Sequence, residues 1–119
     1  TDTANQLSDM LQGTTEHGTA DDYFAHRPAF PTDVRAGGKT GTLADDNPYM
    51  SYTWFAGFAQ HTEIEGENVA VSALICNTPT WRIKGPWAAS EAVRKYYQVR
   101  QHRASIESKT DGRTVATRE

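Results

Sequence analysis

Apolar residues near the start of the chain recur at the spacing of an α-helix. Between Thr3 and about Thr15 they lie on one helical face, and they are Ala4, Leu7, Met10 and Leu11. Thr3 followed by Gln6 matches a capping box, which favours a helix start at this point. Gly13 and Gly18 then interrupt the pattern. We therefore predict one amphipathic helix, followed by a break.

Three later segments have the composition and boundaries of β-strands. They span about residues 36–44, 51–60 and 68–77, and the turn-forming stretches DDNP and EIEGEN separate them. Short connections join antiparallel neighbours, so we predict a three-stranded meander. The third segment is nearly all apolar, which predicts burial on both of its faces. Asp45 and Asp46 are predicted as turn residues.

The remaining segments are less regular. Residues 21–33 carry Pro28 and Pro31 and are predicted to form an irregular connection. A helix is predicted from Pro86 to about Tyr97, and the residues expected to face the sheet are Ala88, Ala92 or Val93, and Tyr96. Residues 98–119 are rich in polar and charged side chains, so we expect a solvated, disordered tail after a domain spanning residues 1–97.

Composition narrows the classes of function. The 119 residues allow one domain at most, and the net charge of −3 does not favour a nucleic-acid partner. The apolar runs are too short to span a membrane, and we expect no membrane contact by this segment. Cys76 is the one cysteine, so no internal disulfide can form, and its strand context predicts a buried thiol. The chain opens on TDTANQL, and we expect it to begin inside a longer protein.

The stretch GGKT at residues 37–40 invites comparison with a phosphate-binding loop. That loop requires a glycine five positions before Gly38, where this chain has Asp33. The residues before it are not a buried apolar strand, and those after it are poor helix formers. We therefore set nucleotide binding aside.

An extended conformation gives the same residues a different meaning. On a regular strand Lys39 lies on the face opposite to Thr40 and Thr42, and Gly41 between them leaves room for a second backbone. Two hydroxyls and an ammonium group suit a carboxylate, and free backbone N–H groups at a sheet edge suit an oxyanion. The pattern suits a site for a peptide-like substrate, and on these four residues alone an ordinary threonine-rich strand with a surface lysine stays open as the alternative.

The order of motifs resembles a known family. GGKTGTL, then YTWFAGFAQ and VAVSALICN, look like the closing segment of the penicillin-binding transpeptidase domain, and LSDMLQGTTEHGTA is similar to the helix and Gly-Thr-Ala turn before it. The resemblance covers about residues 3–97. It implies an α/β fold of the α+β type, in which this chain supplies antiparallel strands three to five with flanking helices. The fold would therefore be incomplete.

The resemblance also implies a chemistry and a setting. It is serine-based acyl transfer on D-alanyl-D-alanine peptides of the cell wall, with β-lactams acylating the same serine. Lys39, Thr40 and Gly41 would form the catalytic box, Thr40 and Thr42 would bind the substrate carboxylate, and the backbone N–H of Thr42 would supply half of the oxyanion hole. No metal or organic cofactor is implied. The implied partners are peptidoglycan stem peptide or a β-lactam and the N-terminal remainder of the domain, in a periplasmic or extracytoplasmic protein anchored to the inner membrane.

Two motifs of the family are absent from the chain. No serine stands three residues before any of its lysines, and no serine stands two residues before any of its asparagines. We expect a C-terminal fragment that cannot be acylated alone. A β-lactamase-like hydrolase, a D,D-carboxypeptidase and a non-catalytic module with the same fold stay open as alternatives.

Several other residues are interpreted structurally. The four histidines share no metal-ligand spacing. Trp54, Phe55 and Phe58 are predicted to pack in the core or under a helix, and Gly57 to mark a bulge or a close approach. The stretch WRIKGPW, at residues 81–87, is predicted to be a loop leading into the last helix.

Overall fold

A computed structural model describes residues 1–80 and 83–116, with side chains as far as residue 111. Two helices flank a three-stranded sheet, and a short 3₁₀-helix lies in the first connection. In chain order the elements are α1 (Asp2–Glu16), the 3₁₀-helix (Asp21–Tyr23), β1 (Val34–Asp46), β2 (Tyr49–His61), β3 (Asn68–Asn77) and α2 (Gly85–Ala116). The chain is thus α+β, and every predicted element is present.

The sheet is an antiparallel meander in the order β1-β2-β3, as predicted. Pairing between β1 and β2 runs without interruption from Val34 opposite His61 to Asp46 opposite Tyr49. Asp45 and Asp46 therefore belong to the strand, and their prediction as turn residues was wrong. The turn itself is Asn47–Pro48, joined by a cis peptide bond.

The core lies between α2 and one face of the sheet. Phe55 and Ala59 of β2 are fully buried there against Ala89, Val93 and Tyr97 of α2. The prediction named Ala92 or Val93 as facing the sheet: Val93 is buried there, whereas Ala92 is exposed. Tyr97 is buried more deeply than Tyr96, the tyrosine that was predicted to face the sheet. The start of α2 is fixed on β2 at Gly85, whose N–H donates to the Thr53 hydroxyl at 3.0 Å. This contact helps to determine which face of α2 packs on the sheet.

Helix α2 is much longer than predicted. It continues to Ala116 instead of ending near Tyr97, so the expectation of a disordered tail was wrong for residues 98–116. Polar composition indicated solvent exposure correctly, since residues 98–111 are all exposed. It did not indicate disorder, because Arg, Gln, Glu and Lys are good helix formers. Arg100 also pairs with Glu67, which fixes the helix beyond Tyr97 to the turn before β3.

The opposite face of the sheet is only partly covered. In β3 exposure alternates along the strand, so the predicted burial of both faces was wrong. Cys76 is exposed, which corrects the predicted buried thiol. In α1 the residue Thr15 is buried, but Met10 is 75 % exposed, so most of the apolar face of this helix has no cover. The predicted capping box also does not form, since Thr1 is the N-cap residue and Gln6 bonds Asp2.

Two further findings complete the fold. Trp81 and Arg82, part of the predicted WRIKGPW loop, lie outside the described residues, and Gly85 to Trp87 already belong to α2. Among the described residues, no helix combines the length and apolar character needed to cross a membrane.

Candidate functional site

The Lys39–Thr42 segment lies on β1, and its side chains alternate between the two faces of the sheet. A side chain at Gly37 would meet α1 at Leu11 and Gln12, whereas one at Gly38 would meet Phe55 in the α2-side core. Since successive side chains point to opposite faces, Lys39 lies on the α1 face and Thr40 and Thr42 lie on the α2 face. The side chains of Lys39 and of the two threonines therefore leave β1 on opposite faces, as predicted, and the Lys39 ammonium then turns to the strand edge, where it donates to the Thr40 carbonyl.

Even-numbered residues of β1 direct their backbone N–H and C=O groups away from β2, toward the outer edge of the sheet. The carbonyl of Ala36 accepts a buried hydrogen bond from the Thr15 hydroxyl of α1 at 2.5 Å. The carbonyl of Thr40 accepts a hydrogen bond from the Lys39 ammonium at 3.0 Å. In an antiparallel ladder the N–H and C=O of one residue point to the same side, and the side alternates along the strand. The unbroken register then places the N–H groups of Thr40 and Thr42 on this outer edge.

The box is exposed where a ligand would approach it. Lys39 and Thr42 are exposed and Thr40 is half-buried. In the described part of the chain, no strand pairs with the outer edge of β1. One ammonium group, two hydroxyls and outward N–H groups therefore converge on an open edge, a donor set that suits a carboxylate or a developing oxyanion.

The Gly-Thr-Ala turn after α1 reaches the box. The Thr19 hydroxyl lies 2.9 Å from the Thr40 hydroxyl. Gly18 packs so closely on the end of α1 that an added Cβ would lie 2.9 Å from the Gly13 carbonyl oxygen, and Ala20 is fully buried. Sequence reasoning noted this turn but did not assign Thr19 to the site. The run of small residues after the helix was the available signal.

Gly41 makes room for a side chain of the protein itself. An added Cβ there would lie 2.1 Å from the indole Nε1 of Trp54, so Trp54 occupies the space that was expected to admit another backbone. Trp54 is 37 % exposed, and its prediction as a core residue was wrong. Phe55 is in the core as predicted. Gly57 marks a close approach without a bulge, since an added Cβ would lie 2.1 Å from the Gly37 carbonyl oxygen.

The two buried serines of the described residues are not suited to act as nucleophiles. Ser51 and Ser90 are fully buried, and the Ser51 hydroxyl has no hydrogen-bond partner in the described part of the chain. A buried hydroxyl without a base cannot be activated for attack. The donor set on β1 suits an anionic acyl substrate, and neither Ser51 nor Ser90 is placed to attack it.

One exposed group has side chains that could share a cation. The ligand atoms of Asp21, Asp22 and His26 lie within 4.8 Å of one another. His26 Nδ1 is 3.7 Å from Asp21 Oδ2, which is an ordinary ion-pair distance for a surface turn. We assign no metal to this group, because exposed acidic clusters are common without one.

A scan against models of protein families, a search of curated proteins and a search of solved structures each found no match to this chain. A function for this chain therefore has to be inferred from its motifs and from the geometry of β1.

Proposed function

We propose that this chain is the C-terminal part of a penicillin-binding D,D-transpeptidase domain, and that β1 carries its Lys-Thr-Gly box. One observation carries the proposal: Lys39, Thr40 and Thr42 lie along an edge of the antiparallel sheet with which no strand of the described residues pairs. This arrangement supports binding of the terminal carboxylate of a peptide that lies along β1.

The chemistry assigns a separate role to each group. The Thr40 and Thr42 hydroxyls donate hydrogen bonds to the substrate carboxylate, and the Lys39 ammonium supplies the positive charge. The Thr42 N–H donates to the oxyanion that forms when a serine attacks the peptide carbonyl. The serine oxygen bonds to the acyl carbon, the terminal D-alanine leaves with a proton, and an amine later takes the acyl group. That serine, with its activating lysine, belongs to the N-terminal remainder of the domain.

The same proposal defines partners and location. Stem peptides of peptidoglycan are the substrate class, and β-lactams bind the same edge. The N-terminal remainder is the macromolecular partner, and the assembled enzyme works outside the cytoplasm, where the cell wall is built.

The test is covalent labelling of the full-length protein with a fluorescent penicillin. We expect wild-type protein to be labelled, and Lys39→Ala to slow labelling by about 100-fold, the lower range for losing a positioned charged or proton-transferring group. Lys95→Ala is the matched control, because Lys95 is exposed on α2 and contacts Gln98. It should label like wild type.

The outcomes separate the alternatives. Stable labelling supports the transpeptidase, and labelling followed by rapid release supports a hydrolase on the same fold. Absence of labelling, or equal labelling of wild type and Lys39→Ala, contradicts the proposal. The 119-residue chain alone should not be labelled, since it lacks the Ser-x-x-Lys pair.

A further inference from the structure

We infer that Thr19 is a positioning residue for this site and that it orients the Thr40 hydroxyl toward the bound carboxylate. The inference rests on the proposed function and extends it to a residue outside the box. It starts from the 2.9 Å separation between the Thr19 and Thr40 hydroxyl oxygens, which belong to segments 21 residues apart.

Both hydroxyls are mounted on fixed backbone. On one side, the Ala20 N–H donates to the Thr14 carbonyl at 3.0 Å, and the Ala20 side chain is fully buried. Gly18 lies against the end of α1 with no room for a side chain. Thr19 is therefore held between two anchored neighbours. On the other side, Thr40 is paired with Phe55, whose ring is fully buried.

The hydrogen-bond chemistry explains how this contact could act on a ligand. A hydroxyl has one hydrogen to donate and can accept as well. When Thr19 donates to Thr40, the hydrogen of Thr40 is directed elsewhere, and a carboxylate is its strongest available acceptor. The two bonds then polarise each other. Lys39 already donates to the Thr40 backbone carbonyl. The contact with Thr19 therefore orients the other polar group of this residue, its side-chain hydroxyl.

The role predicts which kinetic step changes. Thr19 contacts Thr40, to which we assign the substrate carboxylate and not the reacting carbonyl, so its loss should weaken binding of the anionic ligand and leave the acylation step intact. In the full-length protein, Thr19→Val should raise the apparent dissociation constant for penicillin about fivefold, the equivalent of one neutral hydrogen bond. The maximal acylation rate should stay within about twofold of wild type, because an interaction made equally before and during the reaction affects binding and not the maximal rate.

Two variants serve as controls. Thr19→Ser keeps the hydroxyl and should restore wild-type affinity. Thr62→Val removes another exposed threonine hydroxyl, one that donates to the Asp33 carbonyl at the far end of the sheet. It should leave penicillin binding unchanged. Unchanged affinity in Thr19→Val, or equal losses in Thr19→Val and Thr19→Ser, would overturn the inference.

A second measurement is independent of acylation. Three-bond couplings to the Thr40 methyl carbon report its side-chain rotamer in the full-length protein by NMR. We expect one dominant rotamer in wild type and Thr19→Ser, and rotamer averaging in Thr19→Val. If wild type is not acylated, the proposed function fails alone, while the couplings still decide whether Thr19 orients Thr40. Identical couplings in all three proteins would refute the positioning role.

Discussion

At the scale of single residues, glycines explain why β1 and β2 can approach each other so closely. Gly57 faces the backbone of β1, and Gly41 faces the indole of Trp54. The sequence predicted a close approach at both positions, but it could not identify the neighbour. That identity depends on the register, which brings Trp54 opposite Gly41 and Gly57 opposite Gly38.

The two glycines should respond differently to substitution. In Gly57→Ala the new methyl group would overlap backbone atoms of Gly37 and Gly38, which cannot move without breaking the ladder. We expect a loss of roughly 3 kcal/mol or more in the free energy of unfolding, in line with severe overpacking. Urea denaturation of the full-length protein measures this loss.

Gly41→Ala is the matched comparison. Its added methyl group meets the side chain of Trp54, which is partly exposed and can rotate away. The loss should be about 1 kcal/mol. In a protein that already carries Trp54→Ala, adding Gly41→Ala should cause no steric loss of stability. Equal losses in Gly57→Ala and Gly41→Ala would contradict the register.

At the scale of elements, turn chemistry and strand composition were sufficient to predict the meander, and local sequence was not sufficient to predict the length of α2. The helix continues because long polar side chains favour it and because Arg100 reaches Glu67 in the turn before β3. The box strand was predicted from the motif GGKTGTL, whereas its tie to α1 through Thr19 depends on a contact between distant segments.

Tyr97 joins α2 to the sheet, and its hydroxyl should make the stability of the fold depend on pH in the alkaline range. Its hydroxyl contacts the carbonyl oxygens of Ala59 at 3.1 Å and Glu67 at 2.7 Å. Burial raises the pKa of Tyr97 to about 12, above its ordinary value of 10.0. The folded state therefore keeps a proton that the unfolded chain loses above pH 10. Stability from this group is complete below pH 10 and declines as pH rises toward about 12.

The measurement compares wild type with Tyr97→Phe across that range. At neutral pH the variant should be less stable by about 1 kcal/mol, because it loses a buried hydrogen bond. Between pH 10 and 12 the wild type should lose stability faster, so the difference between the two proteins should shrink. A difference that is constant with pH would refute the proton linkage.

Glu67 should produce the opposite dependence at acidic pH. Its hydrogen bond to the Arg100 guanidinium holds the pKa of this carboxyl below its ordinary value of 4.5. Stability from the pair is therefore present above pH 4.5 and is lost as pH falls through the lowered pKa. Circular dichroism should show that wild type loses helix at acidic pH. Glu67→Gln should show a similar loss of helix already at neutral pH. Identical helix content in both proteins at pH 7 would contradict a role for this pair in ordering α2.

At the scale of the whole molecule, the chain is elongated. Its radius of gyration is 18.5 Å, whereas a globular domain of this length has roughly 13 to 14 Å. Large apolar side chains are exposed on the α1-side face of the sheet and on α1, among them Leu43, Leu74, Leu7 and Met10. The missing Ser-x-x-Lys and Ser-x-Asn motifs led us to expect a fragment, and that expectation stays a prediction.

The isolated chain should therefore fold poorly. We expect a broad thermal transition, binding of a dye that recognises exposed apolar surface, and concentration-dependent association, because uncovered strands and apolar faces associate. Calorimetry and analytical ultracentrifugation of the 119-residue chain test this expectation. A sharp, reversible transition of a monomer would show that the chain is a complete folding unit.

The most direct test of the account is a crystal structure of the full-length protein acylated by a penicillin. We predict the antibiotic carboxylate within hydrogen-bond distance of the Thr40 and Thr42 hydroxyls, and the former lactam carbonyl oxygen on the Thr42 N–H. A carboxylate bound away from β1, or a Thr42 N–H that is paired with another strand in the assembled domain, would contradict the central claim that this edge of the sheet is an acyl-substrate site.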